Sequence, residues 1–197
     1  PSASDLVQGE LAVNVTDKRL YTENNAGAIV ELGTNPSTID INAGTVDGIT
    51  SLSTSTSGTS NFIAGVNAGN SITSGGNYNT VVGDEAGTAI TTGDNNVAIG
   101  YVAGDAITTG SESVALGSNS LSAATTSTKN TALGAYALRN DTLGSSSVAV
   151  GHQALNAQNF TSATSAYNVA VGANAGTAVT TGVQNTLIGG LAGDAIT

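Results

Sequence analysis

Carboxylates are the residues of this sequence that come closest to a catalytic set. Asp84 and Glu85 form the one adjacent acidic pair. Single acids among the repeats described below include Asp94, Asp105, Glu112 and Asp194. A glycoside hydrolase needs two carboxyl groups about 5–10 Å apart across a bound sugar. None of these acids occupies the same position as another acid in an adjacent repeat, so we expect no catalytic residues and no enzyme activity.

Metal, thiol and phosphate chemistry are also disfavoured. The chain has no Cys and a single His, His152, so zinc and thiolate sites lack their usual ligands. His152 stands at a position that varies between repeats, which is typical of a surface residue rather than a general base. The 26 glycines include no Gly-x-Gly and no Gly-Lys, which excludes dinucleotide and phosphate-loop fingerprints. We expect no cofactor and no metal.

Two kinds of polar residue recur through the chain. Threonine pairs stand at Thr91 and Thr92, Thr108 and Thr109, Thr125 and Thr126, and Thr180 and Thr181. Aligned threonines can bind ice or the faces of sugars, but we favour hydrogen-bonded ladders on a half-exposed strand. Asparagines near the repeat boundaries indicate stacked ladders rather than calcium ligands, because an acidic run is absent. They are Asn77, Asn79, Asn95, Asn96, Asn130, Asn168 and Asn185.

Charge and hydrophobicity restrict the partners of this chain. The net charge is -10 at pH 7, although charged residues make up only 9% of the sequence. So acidic a chain repels phosphate backbones, and we expect no nucleic-acid partner. No apolar run approaches the roughly 20 residues of a membrane-spanning helix, so we expect no membrane insertion. The sequence starts with Pro1 rather than Met, and we expect it to be a piece of a longer protein.

A repeat of 17 residues organises most of the chain. The motif apolar-x-apolar-Gly aligns glycines at successive spacings of 18, 17, 17, 17, 17, 21 and 17 residues. The aligned glycines are Gly65, Gly83, Gly100, Gly117, Gly134, Gly151, Gly172 and Gly189. This period predicts a parallel β-solenoid of eight coils over residues 61–197. The longest interval contains an insertion within residues 158–167, where we expect a surface loop.

Each coil opens with a short strand whose alternate side chains face opposite ways. The residue before Gly is a large aliphatic in seven coils, and we expect this column to form the stacked core. Its members are Val82, Ile99, Leu116, Leu133, Val150, Val171 and Ile188, with Ala64 in the first coil. The column two residues before Gly is never polar, so we expect a second copy of the chain to cover it. The predicted interface with neighbouring subunits is Ala98, Ala115, Ala132, Ala149 and Ala170.

The second half of the coil contains two positions that compensate for one another. Where the fourth residue after the aligned Gly is also Gly, as at Gly87, the seventh is a large aliphatic such as Ile90. Where the fourth residue is Leu, the seventh is not a large aliphatic. These pairs are Leu121 with Ala124, Leu138 with Asp141, and Leu155 with Gln158. We therefore predict that one apolar side chain per coil fills a shared volume, from either position.

Residues before the repeats read as shorter β-structure. Three apolar segments, 11–15, 19–22 and 28–32, predict a small β-meander over residues 1–34. Pro36 breaks this pattern. A further strand pair at 39–41 and 46–52 leads into a Ser/Thr-rich tract at 51–60, which is typical of a linker.

The coils resemble the head repeats of trimeric autotransporter adhesins and, more closely, the repeat arrays of phage tail fibres. The resemblance rests on the motif Asn/Ser-Val-Ala-Ile/Leu/Val-Gly. Residues 9–14, 18–22 and 27–32 are similar to an N-terminal module of tail fibres and tropism-determining proteins, and 41–50 to the intertwined strand element that follows it. This order implies an attachment module over 1–34, an intertwined element and linker over 35–60, and a trimeric β-solenoid shaft over 61–197. A signal peptide, coiled-coil stalk and membrane anchor, which would favour an autotransporter, are not seen in the sequence.

The resemblance implies a structural component of the virion. A homotrimeric tail-fibre segment would attach to a tail, baseplate or adaptor protein through its N-terminal region and lead to a distal host-recognition region. The alternatives are a bacterial surface adhesin head and a polysaccharide-degrading tailspike. Contact with a host surface glycan or protein would fall on the loop 158–167, which carries Phe160 and Tyr167. The competing interpretation of that loop is a spacer bulge with one packed aromatic.

Overall fold

Short β-strands are the only regular secondary structure in the described part of the chain, which confirms the all-β prediction. The computed structural model describes residues 10–14, 19–23, 26, 29–32 and 56–196. The chain divides into two compact units, Pro1–Thr50 and Ser51–Thr197. The strands are β1 (Leu11–Asn14), β2 (Arg19–Glu23), β3 (Ile29–Leu32), β4 (Phe62–Ala64), β5 (Thr80–Val82), β6 (Val97–Ile99), β7 (Val114–Leu116), β8 (Thr131–Leu133), β9 (Gly144–Ser145), β10 (Val148–Val150), β11 (Thr164–Ser165), β12 (Val169–Val171) and β13 (Thr186–Ile188).

The first unit contains the predicted β-meander. Strands β1, β2 and β3 form an antiparallel sheet in that order. Val13 pairs with Leu20, and Leu20 pairs in turn with Leu32. The predicted strand pair at 39–41 and 46–52 lies outside the described residues, as does the first half of the Ser/Thr-rich tract, residues 51–55.

The second unit is a parallel β-solenoid, as the repeat predicts. Eight of its strands form one parallel sheet, in which consecutive strands along the chain are neighbours apart from β9 and β11. The register follows the sequence repeat, since Ala98 pairs with Ala115 and Ala115 with Ala132. The insertion contributes β11, which pairs with β9 in a separate two-stranded parallel sheet.

The alanine column lies inside the coil of its own chain. Ala98, Ala115, Ala132, Ala149 and Ala170 are each 0% exposed in a single chain. The prediction that these alanines form the interface with neighbouring subunits is therefore wrong. The predicted core column faces outward instead, with Leu116 46% and Ile188 70% exposed. Since both faces of each strand are apolar, alternation alone does not identify the interior; the narrow coil accepts the smaller side chain.

The compensating positions share one volume, as predicted. A Cβ atom on Gly87 would lie 2.8 Å from Ile90 Cδ1, and one on Gly104 would lie 3.0 Å from Ile107 Cδ1. In the coils that have Leu at the fourth position after the aligned Gly, the leucine side chain occupies the volume that the isoleucine fills elsewhere. Leu121, Leu138 and Leu155 are 0% exposed, with φ angles of 51°, 49° and 50°. A left-handed backbone costs about 1–2 kcal/mol for a residue with a Cβ. Burial of a leucine side chain contributes about 1.5–3 kcal/mol and offsets that cost.

Side-chain ladders hold the corners of the coils, which confirms the predicted role of the buried asparagines. Asn79 Nδ2 donates to the Gly93 carbonyl (2.8 Å), and Asn79 Oδ1 accepts from the Asn96 backbone N–H (2.9 Å). A threonine ladder runs beside it, in which Thr91 Oγ1 donates to the Thr108 carbonyl (3.1 Å). Each coil is thus bonded to the next by side chains as well as by its strand.

Candidate functional site

The parallel sheet of the solenoid presents an outward apolar face. We name it the outer stripe and define it as the first and third residues of β5, β6, β7, β8, β10, β12 and β13. Of these fourteen residues, eleven are Val, Ile or Leu and three are Thr. They are half-buried or exposed, while the residue between them is buried in six of the seven strands. Large apolar patches on protein surfaces are typical of interaction sites, which makes the outer stripe a candidate interface.

The insertion 158–167 is pinned to the solenoid rather than projecting freely. Phe160 is only 5% exposed, and its carbonyl accepts a hydrogen bond from Thr142 Oγ1 (3.1 Å). Phe160 is therefore a packed residue and cannot present its ring to a ligand, which corrects its assignment as a recognition residue. Tyr167, by contrast, is 57% exposed.

A buried polar cluster lies beneath Phe160. Asp141 and Gln158, the polar members of the compensating pairs, are both 0% exposed. Gln158 Nε2 donates to Asp141 Oδ2 and to Ser147 Oγ (3.1 Å), while Gln158 Oε1 accepts from Asn168 Nδ2 (2.8 Å). Gln158 thus hydrogen-bonds to Asp141 and Ser147 on one side and to Asn168 on the other, and so connects the asparagine ladder across the inserted residues. Burial raises the pKa of Asp141 above its ordinary value, and hydrogen bonds from Gln158 and then Gly144 oppose that rise.

Asp141 is expected to make the stability of the solenoid depend on pH. Because its pKa is raised on folding, the unfolded chain ionises first as the pH rises. The stability that Asp141 contributes is then fully present below its ordinary pKa and is lost as the pH rises through the folded value. We compare the unfolding free energy of wild type with that of Asp141→Ala. We expect the value for wild type minus the value for the variant to be larger at acid pH than at neutral pH. Urea titrations at both pH values measure it, and a difference that stays constant or grows toward neutral pH contradicts the prediction.

The acids singled out in the sequence are mostly dispersed. Glu85 Oε1 accepts a hydrogen bond from Asn67 Nδ2 (2.8 Å). Asp105 Oδ1 is buried and accepts none among the described residues. Burial raises the pKa of Asp105, backbone hydrogen bonds at Asp105 and Ala106 oppose the rise, and the charge of Glu85 adds to it. No group of three His, Asp or Glu residues in the described ranges could hold a metal ion.

One cluster was missed by the sequence analysis. The rings of Tyr136 and His152 meet edge to face, with centroids 6.0 Å apart and planes at 89°. The guanidinium carbon of Arg139 lies 5.2 Å from the centre of the Tyr136 ring. We name these three residues the Tyr136 cluster. They occupy different offsets in two adjacent coils, so no single column of the alignment brings them together.

A cavity of about 350 Å³ opens at the first coil. Ile63, Ala68 and Ile72 line it together with the polar residues Thr56, Ser57 and Asn70. It contains no titratable group.

No helix among the described residues has the length and apolar character required to cross a membrane.

Comparison with family models, curated proteins and solved structures finds no match to this chain. The fold and the outer stripe define it as a β-solenoid repeat protein with an apolar face along its parallel sheet.

Proposed function

We propose that this chain is a structural, non-enzymatic segment of a phage tail fibre that assembles as a homotrimer. The observation that carries the proposal is the outer stripe, which follows every strand of the sheet from β5 to β13. A rigid rod with one continuous apolar edge is suited to side-by-side assembly with identical rods. The number of three subunits per assembly is taken from the resemblance to fibre and adhesin repeats.

The outer stripe replaces the alanine column as the proposed subunit interface. Val97 and Ile99 flank buried Ala98, and Val148 and Val150 flank buried Ala149 in the same way. Burying the remaining surface of each such aliphatic contributes about 1 kcal/mol, half of the value for complete burial. Threefold symmetry would bring the same coil of each copy to the same height, so that the regular spacing of the strands matches throughout.

The proposed place in the virion follows from the order of modules. The β-meander would attach to a tail, baseplate or adaptor protein, and the solenoid would extend toward a distal host-recognition region. A bacterial adhesin head would use the same outer stripe, and a tailspike would add hydrolysis of a surface polysaccharide. Both remain alternatives.

Location of the chain in purified particles tests this proposal. Phage virions are purified and their tail proteins identified by mass spectrometry, with bacterial envelopes as the comparison. Recovery of peptides from residues 61–197 with the virion supports a fibre, whereas recovery with the envelope supports the adhesin. Release of reducing ends from capsular polysaccharide by the purified chain would overturn the non-enzymatic assignment.

A further inference from the structure

Charges are segregated along the solenoid. Between Gly117 and Ile188 the sequence contains one acid, Asp141, together with Lys129, Arg139 and His152. Asp141 is fully buried, while the three basic side chains are exposed. This stretch of surface is therefore basic, in a chain whose net charge is -10. A parallel neighbour would place the same coils alongside and would supply no carboxylate.

The Tyr136 cluster lies within this basic surface. Arg139 lies over the Tyr136 ring, and none of the described carboxylates forms an ion pair with it. A cation over the face of an aromatic ring is attracted by the ring quadrupole, and a guanidinium carries five N–H donors in a planar fork. Those donors match the two oxygens of a carboxylate. The ring thus holds a cation in place without neutralising it.

Neutral polar side chains surround the cluster. Asn119, Tyr136 and Gln153 occupy equivalent corners of three successive coils, with φ angles of 55°, 62° and 58°. Their backbone N–H groups donate to Tyr101, Ser118 and Ala135 of the preceding coils at 2.9, 3.0 and 3.0 Å. The strands of adjacent coils are spaced by about 4.8 Å, and the coils before and after that of Tyr136 each carry an amide residue at the equivalent corner. Amide groups of this kind donate to and accept from hydroxyl groups.

We propose that the Tyr136 cluster binds a carboxylated saccharide. Arg139 pairs with the carboxylate, His152 adds a polar ring edge, and the flanking amides of Asn119 and Gln153 bond to hydroxyl groups. This inference rests on the basic surface and the ring geometry. It does not depend on the assignment of the chain to a phage.

Calorimetric titration of the full chain with an oligogalacturonate, and with a neutral galactose oligomer of equal length, tests the inference. We expect the acidic oligomer to bind and the neutral one to bind at least about tenfold more weakly. Arg139→Gln should abolish the preference. Arg139→Lys should restore it only in part, because lysine lacks the planar pair of donors. Lys129→Gln is the matched control, since it removes the same charge from a neighbouring coil outside the cluster.

Three results would overturn the proposal. Failure of both oligomers to bind would exclude the ligand class. Equal losses in Arg139→Gln and Lys129→Gln would show attraction to net charge alone. Equal or tighter binding of a poly-glutamate peptide would identify a protein partner instead. Thermal unfolding of each variant shows whether it is folded, and we expect exposed Arg139 and Lys129 to tolerate replacement.

Discussion

Gly134→Ala is expected to destabilise the solenoid strongly, although it adds only one methyl group. Gly134 has a φ of 130°, which side chains disfavour. A Cβ at this position would also lie 2.6 Å from both the carbonyl carbon and oxygen of Gly151 in the next coil. Neither backbone can move away without breaking the hydrogen bonds that stack the coils. Strain of this kind costs about 1–3 kcal/mol, and the backbone overlap adds to it.

Gly189→Ala separates the two contributions. Gly189 has a similar φ of 122°, but the nearest atom to its Cβ would be Ala192 Cβ at 4.0 Å. We expect this variant to show the conformational strain alone, so it should lose less unfolding free energy in urea than Gly134→Ala. Equal losses would show that close stacking does not require the glycine column.

Leu121→Gly should lower the unfolding free energy by about 2–5 kcal/mol, the usual cost of emptying a buried leucine site. Adding Ala124→Ile should recover more than half of that loss. The double variant recreates the arrangement of Gly104 and Ile107 in the preceding coil, where the isoleucine side chain lies against the glycine. Leu121 is preferred to Leu138 for this test because Asp141, the partner of Leu138, accepts hydrogen bonds from Gly144 and Gln158.

Thermal melting of the wild type, both single variants and the double variant measures the coupling. Ala124→Ile alone should be destabilising, since Leu121 already occupies the volume. A double variant that melts no higher than Leu121→Gly would refute the shared volume.

The repeat predicts much of the solenoid, because alignment on glycine fixes both the strands and the compensating corners. It identifies Leu121 and Ile90 as alternative fillings of one space. It does not identify the inner face of each strand. Ala98 and Ile99 are both apolar, and which of them is inside depends on the width of the coil, a property of the closed structure.

The candidate sites were less accessible to sequence reasoning. Phe160 stood in an insertion, which favoured a surface role, yet its ring packs beside Gly144. Tyr136, Arg139 and His152 have no shared column, and only the corner geometry brings them together. The buried pair of Asp141 and Gln158 was placed by the alignment, but its function as a polar bridge follows from the inserted residues beside it.

The association state of the chain tests the central claim most directly. Light scattering of the purified chain should give three times the mass of one chain. Leu116→Asp, which places a charge on the outer stripe, should give a folded monomer, because Leu116 is 46% exposed in a single chain and an unpaired charge is costly only once buried. Thr126→Asp, an equal charge on an exposed position outside the stripe, should leave the trimer intact. A native chain that is monomeric at every concentration, or a trimer that Leu116→Asp does not dissociate, would contradict the account.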